Sequence, residues 1–270
     1  MKFHVPNAAI VSQVQTGENI YTLTISSPDI AREAQPGQFA HLRCGNSADP
    51  LLRRPLSIND VERDKGWVTF SYQIVGKGTQ LLSELKAGET LDVIGPLGQG
   101  FKTDFSGKKI GLIGGGMGIA PLIFLGRELS RENVVQAFWG GRSKELLPPF
   151  ATGVEFSYEI ATEDGSSGRK GLVTEILLEQ LSQDTQGAQN TEESFDFLFA
   201  CGPKPMLAAV ARLAPKYNIP LQLSLESVMA CGVGACLGCT IKAKKHGKET
   251  QFKVCQDGPV FWAEEVLWDE

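Results

Sequence analysis

The sequence predicts a β + α/β protein: an antiparallel barrel, then a parallel, doubly wound α/β domain, then a small cysteine-rich module. Three observations carry this reading. Up to about residue 105 short segments with period-two patterning alternate with Gly, Pro and Asp-rich turns. From residue 106 the rhythm becomes strand, Gly-rich loop, helix. From about residue 224 the pattern breaks, and four of the six cysteines fall in the last 40 residues. The expected domains are therefore 1–105, 106–223 and 224–270.

In the first region "NIYTLTIS", "GQFAHLRC", "WVTFSYQIV" and "ETLDVIG" read as strands. Short strands at this spacing favour a small barrel. One helix, "TQLLSELKAG", interrupts them, with Thr79 as its expected N-cap and an end near Gly88. In the second region "KKIGLIGGGMGIAPLIFLGRELS" opens a strand–turn–helix unit. "NVVQAFWGG" and "VEFSYEIATEDG" continue the sheet, and "SFDFLFACGPKPMLAAVARLA" supplies another strand, turn and helix. The polar run "SQDTQGAQNTEES" reads as a surface loop. The final 47 residues are too few for a large core and need a staple.

Composition narrows the function. A net charge of −5 over 270 residues argues against a general nucleic-acid binder. The opening "MKFHVPNAAIVSQVQTGENIY" lacks a basic segment followed by an apolar one, so no signal peptide is expected. No apolar stretch approaches the roughly 20 residues that span a bilayer. A cytoplasmic location follows as the expectation, and there thiols stay reduced and clustered cysteines favour metal over bridges. Cys44, alone in a strand-like stretch, reads as a small buried hydrophobe.

Chemistry in the barrel region centres on "LLRRPLSIND" and "YQIVGKGTQLL". Arg54, followed by Pro55, Leu56 and Ser57, offers a guanidinium that grips a phosphate through paired hydrogen bonds and a hydroxyl beside it. Gly78 and Thr79 open a helix whose free N–H groups attract anions. In the second region Gly114, Gly115, Gly116 and Gly118 let backbone approach a phosphate closely ahead of a helix. Ile119 breaks the G-x-G-x-x-G spacing of a two-phosphate grip. Cys201, Gly202 and Pro203 end a later strand, at the edge where open α/β sheets bind ligands. A nucleophilic role for Cys201 lacks support, because none of His4, His41 and His246 lies in a partnered motif. Nothing resembles a catalytic acid–base pair, so no catalytic residue is assigned.

The tail pattern is Cys231-x4-Cys236-x2-Cys239-x15-Cys255. That is the spacing of plant-type [2Fe–2S] centres with a shortened final gap. Gly232, Gly234, Ala235 and Gly238 give a loop able to curl around a cluster and turn N–H groups to its sulfurs. A zinc staple and disulfides are the competing readings. Zinc sites more often pair two short hooks, whereas Cys255 stands alone.

Together, the R-P-L-S strand end and the Gly-Thr helix start resemble the flavin barrel of the ferredoxin–NADP reductase superfamily. The resemblance implies that Arg54, Pro55, Leu56, Ser57, Gly78 and Thr79 contact FAD, with Tyr72 and Gln73 on the neighbouring strand. Leu56 departs from the Tyr common there, so that side chain offers no ring stacking. In the same superfamily Gly-Gly-x-Gly and Cys-Gly-Pro flank the nicotinamide nucleotide, with Cys201 near the nicotinamide. Arg142 and Ser143 in "WGGRSKEL" favour a 2′-phosphate, while Glu163 and Asp164 in "ATEDGSSG" repel one, and the balance points to NAD. The order of modules, with "RRPLSI", "GGGMGIAPL", "CGPKPML", "LESVMACGVGACLGC" and "VCQDGPVF", resembles the electron-transfer subunits of type B dihydroorotate dehydrogenases over nearly the whole chain. This implies pyrimidine biosynthesis, a catalytic partner that oxidises dihydroorotate on its own FMN, and a heterotetramer of two plus two chains. Electrons would then pass through the cluster and FAD to NAD+. Similar small subunits serve NADH-dependent ferredoxin:NADP oxidoreductases and sulfide dehydrogenases, and a zinc-stapled docking module is the reading from another class.

Overall fold

The structure is a computed structural model and describes residues 2–45, 47–148, 154–186 and 194–268. The chain forms two compact units. The first combines the chain up to Phe101 with Glu226–Val260, and the second combines Lys102–Leu225 with the chain from Phe261. The cysteine-rich tail thus groups with the barrel as far as Val260, and its last residues belong to the second unit.

In the first unit β1 (Phe3–Gly17), β2 (Ile20–Ser26), β3 (Phe39–Leu42), β4 (Arg54–Glu62), β5 (Trp67–Gln73) and β6 (Thr90–Leu97) close a barrel in the order β1-β2-β5-β4-β3-β6. Every pairing in it is antiparallel. Alternation puts Leu23, Ile25, Ile58, Val68, Phe70 and Val93 inside, all fully buried. Closure leaves no open edge.

Two helices, not one, interrupt the strands. Helix α1 (Pro28–Glu33) has Pro28 in its first turn and Asp29 near its positive end, and buries Ile30 and Ala31. Its six residues are too short for a periodic apolar signal. Helix α2 spans Lys77–Ser83, so it starts earlier and ends sooner than the sequence pattern suggests. Gly76 is its N-cap, and Thr79 sits three residues in. The Thr79 hydroxyl accepts from the Val75 and Gly76 N–H groups at 3.0 and 3.3 Å, which is how it caps the helix without being the N-cap.

The second unit holds β7 (Lys109–Gly115), α3 (Ile119–Leu129), β8 (Val134–Gly141), β9 (Ser157–Thr162), β10 (Arg169–Lys170), α4 (Val173–Gln186), β11 (Phe197–Cys201), α5 (Lys204–Leu213) and β12 (Leu221–Ser224). Sheet order is β10-β9-β8-β7-β11-β12, extended by the short strand Val260–Trp262, and the five pairings from β10 to β12 are parallel. The direction of winding reverses between β7 and β11, at the place where such sheets bind ligands. Leu112, Ile113, Phe138, Trp139 and Phe199 fill the core beneath it, all fully buried. Residues 182–186 of the expected polar loop are helical, and 187–193 lie outside the described residues.

Between the third and fourth tail cysteines the chain folds back as a hairpin of β13 (Thr240–Lys245) and β14 (Lys248–Lys253). Its turn residues His246 and Gly247 have φ of 50° and 80°, the handedness that two-residue hairpin turns need.

Candidate functional site: a thiolate loop, an arginine cradle and a nucleotide crevice

The fifteen-residue gap before Cys255 is explained by that hairpin. Its two strands start and end side by side, so Cys239 and Cys255 become neighbours. The Val254 N–H donates to the Cys239 carbonyl at 3.1 Å, and the Cys255 N–H donates to the Cys239 sulfur at 3.4 Å. The loop ahead of it curls because Gly232, Gly234 and Leu237 adopt left-handed φ of 68°, 87° and 61°. Such turns aim successive N–H groups inward, the geometry that binds anions.

Those N–H groups reach sulfur. Ala235 and Cys236 donate to the Cys231 sulfur at 3.3 and 3.4 Å, Gly234 to that of Cys255 at 3.2 Å, and Gly238 to that of Cys236 at 3.4 Å. Burial works against a Cys231 thiolate. The N–H groups of Val233, Cys236 and Ala235, with the Cys236 thiol, outweigh it and bring the thiol down to about 6. Cys255 moves the other way, raised by burial and by the Cys239 thiol beside it. The backbone N–H of Cys236 bonds the Cys231 sulfur and that of Cys255 the Cys239 sulfur, so the four cysteines stand in two pairs, Cys231 with Cys236 and Cys239 with Cys255. Among the described residues no three Cys, His, Asp or Glu side chains close on a single ion-sized point. A donor set of two pairs with five N–H···S bonds fits a binuclear, negatively charged cluster better than one tetrahedral zinc.

Around this loop, Val228, Val233 and Leu237 are 84%, 39% and 62% exposed, and Cys236 is exposed. Cys239 and Cys255 are buried. Lys253 Nζ donates to the Gly234 carbonyl at 3.2 Å and fastens the loop to the hairpin.

Beneath the loop lies a residue that sequence reasoning passed over. His41 on β3 has no solvent exposure, and neither ring nitrogen has a hydrogen-bond partner. A buried polar group left so costs about 1–3 kcal/mol. The ring lies against Gly232, where an added Cβ would stand 2.5 Å from Nδ1. Burial, with the charge on Arg53, holds the imidazole neutral by pushing it down to about 4, while the Cys231 carbonyl opposes that shift. Its only sequence signal was a lone His in an apolar strand.

His41 pairs in register with Pro55 of the R-P-L-S strand. Arg54 packs its guanidinium on Gly78, so closely that a Cβ there would lie 2.5 Å from Nε. The structure therefore brings the two barrel motifs together into one cradle. Nη1 of Arg54 also donates to the Leu52 carbonyl at 2.6 Å. Arg53 plays a different part: it ties β4 to β6 through Asp92, at 2.7 Å to the carboxylate and 2.9 Å to the carbonyl. Pro55, Leu56 and Ser57 are half-buried on β4. Tyr72 is buried, its ring stacked on Tyr21 and its hydroxyl oxygen accepting from the Gln13 side-chain amide at 2.6 Å, while Gln73 ends β5 half-buried. Burial raises the Tyr72 hydroxyl far above the usual tyrosine range.

In the second unit the two Gly motifs meet at the switch point. Gly114 and Cys201 are register partners on adjacent parallel strands. An added Cβ at Gly118 would strike the Cys201 carbonyl, and one at Gly115 would lie 2.8 Å from Pro203. Gly202 closes on Gly115 from the other side, with its Cβ position 2.9 Å from the Gly115 nitrogen. Gly116, by contrast, has left-handed φ of 53° and open space where its Cβ would be. The two loops are packed too closely for side chains at Gly115, Gly118 and Gly202, whereas Gly116 has room on its outer side. Glu163 and Asp164 are bonded to the β8 end through Gly141 and Arg142, at 3.1 and 3.2 Å, so the acidic and basic candidates share one sheet end. Hydrogen bonds from Ser166 hold the Asp164 carboxyl below its usual range.

A flavin-type barrel, a doubly wound dinucleotide-type sheet and a four-cysteine loop define an electron-transfer flavoprotein of the reductase type with an iron–sulfur tail. Comparison makes this specific. A family model, the iron–sulfur cluster binding domain of dihydroorotate dehydrogenase B, matches residues 226–267. The chain is similar to the "dihydroorotate dehydrogenase B (NAD(+)), electron transfer subunit" of Desulforamulus reducens, at 38% identity over 97% of this chain and 98% of that one. It is similar to the one of Bacillus caldolyticus at 43% identity over 96% of each. Among solved structures it resembles an NADH-dependent reduced ferredoxin–NADP oxidoreductase studied for flavin-based electron bifurcation. That match has 30% identity and a TM-score of 0.82, covering 98% and 91% of the two chains. A Neisseria gonorrhoeae ferredoxin NADP+ reductase, at 17% identity and a TM-score of 0.64, shares the fold. The chain belongs to the family of dihydroorotate dehydrogenase B electron transfer subunits, and is an oxidoreductase subunit. No helix among the described residues is long and apolar enough to cross a membrane.

Proposed function

We propose that this chain carries electrons between an FMN-containing catalytic dihydroorotate dehydrogenase subunit and NAD+, in a heterotetramer of two catalytic and two electron-transfer chains in the cytoplasm. Cys231, Cys236, Cys239 and Cys255 hold a [2Fe–2S] cluster. Arg54, Pro55, Leu56, Ser57, Gly78 and Thr79 hold FAD, with Gln73 beside them and Tyr72 as a buried support for its strand. Gly114, Gly115, Gly116, Gly118, Cys201, Gly202 and Pro203 receive NAD. Bound there, these groups supply single-electron transfer, coupling of one- to two-electron chemistry, and hydride acceptance.

The observation that carries the reading is the cysteine loop: four cysteines in two pairs, with backbone N–H groups already turned to their sulfurs. The chain's own contribution is to offset negative charge at those sulfurs and to exclude water from Cys239 and Cys255. Exposed Val233 and Leu237 flank Cys236 and offer a partner an apolar landing beside the redox end. Arg54 supplies a fixed positive charge at the cradle, where Gly78 leaves room for it.

The similarity to the NADH-dependent reduced ferredoxin–NADP oxidoreductase favours a second reading, the small subunit of such an enzyme. Identities of 38% and 43% over whole chains weigh toward the dihydroorotate family. The test is Cys236→Ser in the complex purified from the native host. NADH-driven flavin reduction should persist, while electron exchange with the FMN subunit should fall by more than tenfold. Equal rates in variant and parent would refute the relay, and a different flavoprotein partner in the complex would select the second reading.

A further inference from the structure

We propose that His41 is the positioning residue of the iron–sulfur loop: its imidazole N–H braces the Cys231–Gly232 segment from the barrel side and so sets the N–H···S bonds on which the cluster's potential depends. The proposal rests on the cluster reading above and adds to it a residue outside the ligand motif.

Three observations converge on this ring. It is wholly buried and polar, yet neither nitrogen has a hydrogen-bond partner. Native proteins leave few such groups, and each asks for a reason. The ring is pressed on the loop, since Gly232 has left-handed φ of 68° and no space for a Cβ, with Nδ1, Cε1 and Cγ of His41 at 2.5, 2.9 and 3.0 Å from that position. The Cys231 carbonyl bears on the imidazole without completing a hydrogen bond.

The strand that carries His41 gives the brace its stiffness. β3 is paired on both sides, with His41 opposite Pro55 on β4 and opposite Ile94 on β6. Phe39 meets the ring edge-on at 6.5 Å, and Arg53 Nη1 reaches the His41 carbonyl at 3.5 Å. On the other side of Gly232, Gly234, Ala235 and Cys236 give their N–H groups to the sulfurs of Cys255 and Cys231. These bonds stabilise the more negative, reduced state of a cluster. A loop freed from its brace holds them less well, which lowers the potential.

The measurement is the midpoint potential of the cluster, from a redox titration of the purified complex followed by electron paramagnetic resonance, with iron counted per chain. Parent, His41→Leu and His41→Gln are compared. His41→Leu should keep its iron, shift the potential to more negative values and broaden the signal, and His41→Gln, which restores an N–H donor, should recover part of the shift. An unchanged potential in iron-loaded His41→Leu would overturn the proposal. So would an equal shift or equal iron loss in both variants, because packing alone then explains the residue. A parent complex without an iron–sulfur signal would instead overturn the cluster reading itself.

Discussion

Arg53 and Arg54 are adjacent in the chain, and the structure gives them opposite tasks. Arg53 is consumed by Asp92, while Arg54 lays its guanidinium on Gly78. Replacing Arg54 with Ala removes a charge-assisted grip worth about 1.5–3 kcal/mol, so FAD should bind about tenfold to hundredfold more weakly. Flavin retained per chain after dialysis checks this. Asp92 gives a pH signature. Burial alone would raise its carboxyl, but hydrogen bonds from Arg53 and His4 outweigh burial and hold it below the usual range. A depressed carboxylate stabilises the fold above its ordinary value near pH 3.9, and that contribution fades as pH falls through the lower native value. Asp92 and Arg53 are only 19% and 21% exposed, so Asp92→Asn should cost about 1.5 kcal/mol at pH 7. The gap between parent and variant in denaturant melts should close below about pH 4.

Among the elements, the hairpin of β13 and β14 converts a spacing into a site. Six residue pairs separate Cys239 and Cys255 from a turn at His246 and Gly247, so the count of fifteen is a folded length. Gly247 holds φ of 80° with nothing near its Cβ position, which makes the turn a backbone constraint alone. Gly247→Val should strain it by about 1–2 kcal/mol and lower iron retained per chain, while leaving flavin content unchanged. The barrel strands and the βαβ rhythm were legible in the sequence, because period-two alternation and Gly-rich turns are local signals. Helix α1 was not, since six residues carry no helical period. Thr79 was placed on the right helix in the wrong role, because Gly76 starts the turn and the hydroxyl caps from inside it. The four thiols were legible as a spacing, and the two motifs of the barrel as separate stretches. That Arg54 rests on Gly78, that Arg53 answers Asp92 and that His41 underlies Gly232 depend on pairings between distant strands, which no local pattern reports.

Over the whole molecule, the division into two units cuts across chain order. The tail leaves the nucleotide unit, builds its thiolate loop on the barrel unit, and returns at Phe261. A segment too short to form its own core is thereby supported by a barrel core that already exists. Within the barrel unit, the arginine cradle on β4 and the thiolate loop share β3 as a common wall. One closed sheet therefore fixes where both places stand. The central claim is that the four tail sulfurs hold two irons. Metal analysis of the complex purified without oxygen, joined to electron paramagnetic resonance after dithionite reduction, tests it most directly. About two irons and two acid-labile sulfides per chain, with a single reduced-cluster signal, are the expected result. One zinc per chain, with no iron and no signal, would contradict it.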